Sequence, residues 1–131
     1  MVQGASPCMN SGLLHTMQAF AGSLPLRVLT PGELLFEKGE PGGSIFCVIS
    51  GAVELRWGAA DAVERFGPGE VVGVGALVND NHRRHGTARA LEPTELIEMG
   101  REQFLFAVQE TPLFAIELMA SLERRLRGLE D

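Results

Sequence analysis

Between Leu26 and Met99 the chain runs only a few residues at a time before meeting a turn signal, and this spacing constrains its fold more than any other feature. Pro31-Gly32, the glycines at 39 to 43, Ser50-Gly51, Gly67-Pro68-Gly69 and Glu92-Pro93 separate short segments at 26–29, 34–37, 44–49, 52–57, 62–66, 87–91 and 96–99. Within 52–57, Val53, Leu55 and Trp57 share one face while Glu54 and Arg56 share the other, the alternation of a strand with one wet side. Many short strands at this turn density predict an antiparallel β-roll, jelly roll or barrel. The expected class is therefore mainly β.

Helical spacing flanks that region. Ser11 is placed to cap a helix over about 13–20, with Leu13, Leu14, Met17 and Phe20 on one face, and Gly22 and Pro25 end it. Residues 1–10 are expected to form a disordered lead. From Gly100 onward the period turns helical again. A short helix is expected over 101–109, then a longer one from Thr111-Pro112 to about 129, with proline at the tolerated first turn. On this second helix Ala115, Met119, Leu122, Leu126 and Leu129 recur at intervals of four, three, four and three. Such a stripe either packs on the roll or pairs with its twin in a homodimer. The 131 residues suffice for one core. The expected organisation is a single domain over 11–131, with the roll at 26–99 and the C-terminal helices at 101–129.

The densest chemistry lies in 66–90, FGPGEVVGVGALVNDNHRRHGTARA. It joins a glycine-rich turn, an apolar run and the concentrated cationic cluster of a chain whose net charge is -6. Backbone amides freed by glycine, followed by arginine, suit a phosphate. Arg84 is the expected clamp, since a guanidinium matches two phosphate oxygens, and Arg83 is expected in solvent. The acidic balance and the lack of a basic face argue against nucleic acid or an anionic membrane as partner. Cys8 and Cys47 lie far apart, and Cys47 falls in an apolar run where a buried free thiol is expected. With no bilayer-length apolar run and no signal-peptide pattern, the expected compartment is the cytoplasm. His82 and His85 form H-x-x-H, but with only Asn79 and Asp80 nearby they fall short of the three or four ligands zinc takes. No metal, no cofactor and no enzyme activity is expected, because no carboxylate pair or nucleophile is placed for catalysis.

The order of these turns resembles the cyclic nucleotide-binding domain found in catabolite-activator-type regulators, kinase regulatory subunits and gated channels. The resemblance extends over 13–129 and is carried by PGELLFEKGEPGGSIFCVISGAVEL, with Gly39, Gly51 and Gly69-Glu70 at the family's turn positions. Gly73 takes the glycine of the phosphate-binding cassette and Arg84 its arginine, followed by His85, Gly86 and Thr87. The resemblance implies a β-roll flanked by helices and a pocket for cyclic AMP or cyclic GMP built from Gly73, Val74, Gly75, Arg84, His85, Gly86 and Thr87. It also implies a long helix that pairs across a two-fold axis and presents Arg125 and Leu129 to the purine.

Two positions depart from the family pattern. Val74 stands where a glutamate accepts the ribose 2′-hydroxyl, and Leu129 stands where a polar group would meet the base. Weakened cyclic nucleotide binding is the expectation that follows. The alternative is a degenerate fold that binds no nucleotide and serves as an oligomerisation or protein-interaction module. Regulators of this family carry a helix-turn-helix beyond the long helix, and the sequence to Asp131 holds none, as suits a stand-alone sensor or a piece of a larger regulator.

Overall fold

The turn glycines become the corners of a roll. A computed structural model describes the backbone of residues 5–20 and 26–130, with side chains over 12–20 and 26–128. In it Gly39, Gly51 and Gly69 take φ of +89°, +92° and +85°, a region glycine enters without steric cost. Along the chain run α1 (Ala5–Phe20), β1 (Leu26–Leu29), β2 (Leu34–Phe36), β3 (Ser44–Ser50), β4 (Val53–Trp57) and β5 (Ala62–Phe66). Then come β6 (Val71–Val72), α2 (Val74–Val78), β7 (Gly86–Ala90), β8 (Thr94–Gly100), α3 (Arg101–Glu110) and α4 (Leu113–Glu130). The strands form two antiparallel four-stranded sheets, ordered β1-β8-β3-β6 and β2-β7-β4-β5.

β3 joins the two halves of the core because both of its faces are buried. Phe46 and Val48 point into the roll with Val53, Phe66, Val72 and Leu96. Ile45 and Cys47 point the other way, into a cluster with Leu13 and Met17 of α1 and Phe114 and Leu118 of α4. This period-two split lets one strand fasten the helices to the roll. No single helix among the described residues is long and apolar enough to cross a membrane.

Two expectations need correction. α1 begins at Ala5 rather than near Leu13, so residues 5–10 are helical and Ser11 lies inside the helix instead of capping it. Pro7 does not prevent this, because first-turn amides have no intrahelical partner to lose. β6 and α2 were absent from the element list read from the sequence. The run 71–78 is apolar throughout and carries neither period clearly, and it divides at Gly73, whose φ is +97°. On α4, Phe114, Leu118 and Ser121 are buried; of the expected stripe, Met119 and Leu126 are exposed, whereas Ala115 and Leu122 are partly covered and Leu122 packs on the core. The expected helix stop at Gly22 and Pro25 lies outside the described residues, as do residues 1–4 of the expected lead and the side chain of Leu129.

Cys47 is fully buried, and its thiol is pushed up to about 12, first by burial and then by the Glu70 charge. The folded chain thus holds this proton more tightly than the unfolded chain, whose thiol sits near 9.0. The resulting stabilisation is complete below that ordinary value and is lost as pH climbs toward the raised one. In a Cys8→Ser variant at mildly alkaline pH, an aromatic disulfide reagent should leave Cys47 unmodified until denaturant is added. Fast modification of the native protein would contradict this burial.

Candidate functional site

A cavity of about 380 Å³ opens where the inner face of the β4–β5 hairpin meets α2 and the second half of α4. That volume falls in the lower part of the range for small-molecule sites, roughly 300–1,000 Å³. Period two decides which hairpin side chains reach it: Leu55 and Trp57 from β4, Glu64 and Phe66 from β5. Gly73, Val74, Gly75 and Ala76 form a second wall, and Arg84, His85 and Gly86 a third. Leu122, Arg125 and Leu126 of α4 complete it.

Arg84 is the buried charge of the site, only 6% exposed. Its Nη1 donates to the Ser44 carbonyl at 3.0 Å and the Gly73 carbonyl at 3.2 Å, and Nη2 donates to Ser44 Oγ at 3.4 Å. The guanidinium lies 4.4 Å from the centroid of the Phe36 ring. Ser44 Oγ in turn donates to Glu98 Oε2 at 2.7 Å. Burial pulls the basicity of Arg84 down, and the Glu98 and Glu40 charges partly restore it. None of the ion pairs among the described residues includes Arg84. Of the five N–H donors a guanidinium carries, its Nε–H and one Nη2 hydrogen are left over, an edge that matches two oxygens of a phosphate or carboxylate.

Gly73 has two reasons to be glycine. Its φ of +97° is left-handed, and a Cβ there would stand 2.8 Å from Arg84 Nη1. Arg83 does the opposite of its neighbour: it is exposed, and its Nη1 donates to the Gly39 carbonyl at 2.8 Å.

Arg125 reaches the same cavity, held from four directions. Nε meets Glu64 Oε1 at 3.2 Å, Nη1 meets Glu70 Oε2 at 2.9 Å, and Nη2 donates to the Arg65 carbonyl at 2.6 Å. Its guanidinium stacks 3.7 Å over the Phe66 ring. Glu64 also accepts from Trp57 Nε1 at 2.6 Å, so hairpin and helix share one carboxylate.

Of the residues singled out from sequence, Gly73, Val74, Gly75, Arg84, His85, Gly86 and Arg125 therefore line one cavity. Thr87 does not. It stands on the outer face of β7, where its Oγ1 accepts from the Lys38 amide at 3.1 Å. Period two explains this, since Gly86, Ala88 and Ala90 are buried and the residues between them face outward. His85 is exposed and accepts from the Asn79 side-chain amide, whereas His82 Nδ1 donates to the Ala76 carbonyl at 3.0 Å. Leu122 and Leu126, expected at a dimer seam, contribute to the cavity as well. Sequence reading missed Trp57, Phe36, Glu64 and Phe66 as site residues. The alternation that set Trp57 beside Val53 and Leu55 was the available signal, and the same alternation in β5 turns Glu64 inward with Phe66.

Residues 26–111 match the family model of the cyclic nucleotide-binding domain. The chain is 37% identical over 105 residues to the cyclic AMP receptor protein of Thermus thermophilus, covering 77% of this chain and 48% of that protein. It thus spans about half the length of that relative. The solved catabolite activator protein of the same organism superposes with a TM-score of 0.71 at 31% identity, covering 88% of this chain and 56% of that one. A structure described under a cyclic-GMP-dependent signalling pathway that regulates bacterial phytopathogenesis gives 0.74 at 30% identity, over 87% and 91% of the two chains.

Replacing Arg125 with Ala removes a half-buried cation from two carboxylates and an aromatic ring. It should cost about 1–3 kcal/mol in denaturant unfolding. Arg127→Ala, which breaks only an exposed pair with Glu123, should change stability by less than about 0.5 kcal/mol. Equal losses would mean that Arg125 does not anchor α4.

Proposed function

We propose a function from one premise: the chain belongs to the cyclic nucleotide-binding domain family. In our reading it is a non-enzymatic, cytoplasmic sensory domain whose cavity takes a phosphorylated small ligand on Arg84. Cyclic AMP and cyclic GMP are the first ligands to consider, given the receptor and the signalling pathway for which two of its relatives are described. The observation that carries this reading is a buried guanidinium in a cavity wall with no carboxylate within ion-pair distance among the described residues. A buried cation in that state is completed by an anion from outside.

Val74 modifies the reading. It lines the cavity at the start of α2 and offers no acceptor where the family pattern has a carboxylate. A hydrogen bond to a charged group contributes about 1.5–3 kcal/mol, so a ribose ligand loses roughly ten- to a hundredfold in affinity. Calorimetry should therefore give cyclic AMP and its 2′-deoxy analogue similar, weak affinities. Arg84→Ala should abolish both, and Arg83→Ala should change neither by more than about twofold. A strong preference for the ribose form would place an acceptor elsewhere, and equal losses from the two arginine variants would remove the clamp.

A second reading, that the domain is an oligomerisation module, is favoured by the outer face of α4. Leu113, Ile116, Met119 and Leu126 are exposed there by 60, 55, 56 and 63%. Pairing two such faces across a two-fold axis would cover them. Light scattering should report a dimer that Met119→Glu dissociates. This position is chosen because Leu126 also lines the cavity. A wild-type mass of one chain at micromolar concentration would sink the dimer.

A further inference from the structure

The geometry points to Trp57 as the specificity-determining residue of the cavity, a fixed aromatic wall for a ligand that joins an aromatic ring to an anionic group and needs no sugar. This inference rests on the reading of Arg84 as the anion clamp. Three observations lead to it.

First, the polar side chains on the hairpin and α4 side of the cavity are already engaged. Glu64 serves Trp57 Nε1 and Arg125, and Arg125 is held by Glu64, Glu70 and the Arg65 carbonyl. With Val74 apolar, the carboxylate that a ribose hydroxyl would meet on this side is Glu64, whose two oxygens already accept from Trp57 and Arg125, a poor setting for a sugar. The remaining surface, from Phe36, Leu55, Phe66, Ala76 and Leu122, suits an apolar body.

Second, the indole is oriented before any ligand arrives. Its Nε1–H donates to Glu64 at 2.6 Å, and Glu64 is fixed in turn by Arg125 from α4. A ring held in this way presents a π-face at little cost in side-chain entropy.

Third, the strand that carries the ring lies close against the segment that carries the charge. Trp57 pairs across the sheet with Gly86, where a Cβ would stand 2.3 Å from the Arg56 carbonyl oxygen and 2.9 Å from the Trp57 Cβ. Gly86 also lies two residues beyond Arg84, and both line the cavity. Ring and charge thus line one cavity of about 380 Å³.

Phenyl phosphate, ribose 5-phosphate and cyclic AMP, titrated by calorimetry into the full chain, test the inference. Emission from Trp57, the single tryptophan, is read in parallel. Phenyl phosphate is expected to bind at least tenfold more tightly than ribose 5-phosphate, no more weakly than cyclic AMP, and to quench Trp57. Trp57→Leu should weaken phenyl phosphate about three- to tenfold and leave ribose 5-phosphate unchanged, with Trp57→Phe recovering most of the loss. The inference is overturned if the sugar phosphate matches the aryl phosphate, if a folded Trp57→Leu protein binds phenyl phosphate as the wild type does, or if phenyl phosphate does not bind at millimolar concentration. Failure of the clamp reading looks different: Arg84→Ala would then bind phenyl phosphate as tightly as the wild type.

Discussion

Burying a guanidinium without a counter-ion costs several kcal/mol after relaxation, and the middle of this roll is arranged around one. Arg84 comes from the segment before β7, yet its partners lie far off in sequence: the Ser44 carbonyl and hydroxyl on β3 and the Gly73 carbonyl at the mouth of α2. Ser44 passes part of the charge on to Glu98 of β8. Phe36 supplies a ring face, and Gly42 and Gly73 leave the room that a Cβ at either position would fill. These contacts tie both sheets and α2 to one side chain. They hold the cation without an ion pair among the described residues.

Arg125 plays the matching part on the helical side. Its three polar contacts and its stacking on Phe66 fix α4 against β5 and the turn before β6, beside the cavity. The same Glu64 that receives it also orients Trp57. Helix position and cavity wall are therefore linked through one carboxylate. In the resemblance to the family this arginine was assigned to the purine, whereas here its donors are directed at the chain itself.

Turn chemistry made the roll legible in the sequence. Positive φ at the corners demands glycine, and alternation assigned Val53, Leu55 and Trp57 to the inside. Arg84 and Arg83 were told apart by their place in the cassette, and the structure turns one inward and the other out. What stayed hidden depended on distant pairing. The run 71–78 shows no period because β6 is set by two pairs with β3 and α2 by the break at Gly73. Thr87 was put in the pocket by the family resemblance, and the strand sets it on the opposite face. Glu64 reads as an ordinary charged strand residue until Trp57 and Arg125 converge on it.

The central claim is that Arg84 holds an open edge for an anion. Nuclear magnetic resonance of the arginine Nε–H groups during a titration with inorganic phosphate reports on that edge directly. The account predicts that the Arg84 signal shifts and saturates while the Arg83 signal stays in place. Parallel, unsaturating shifts of both signals, or an Arg84 signal that does not move, would contradict it.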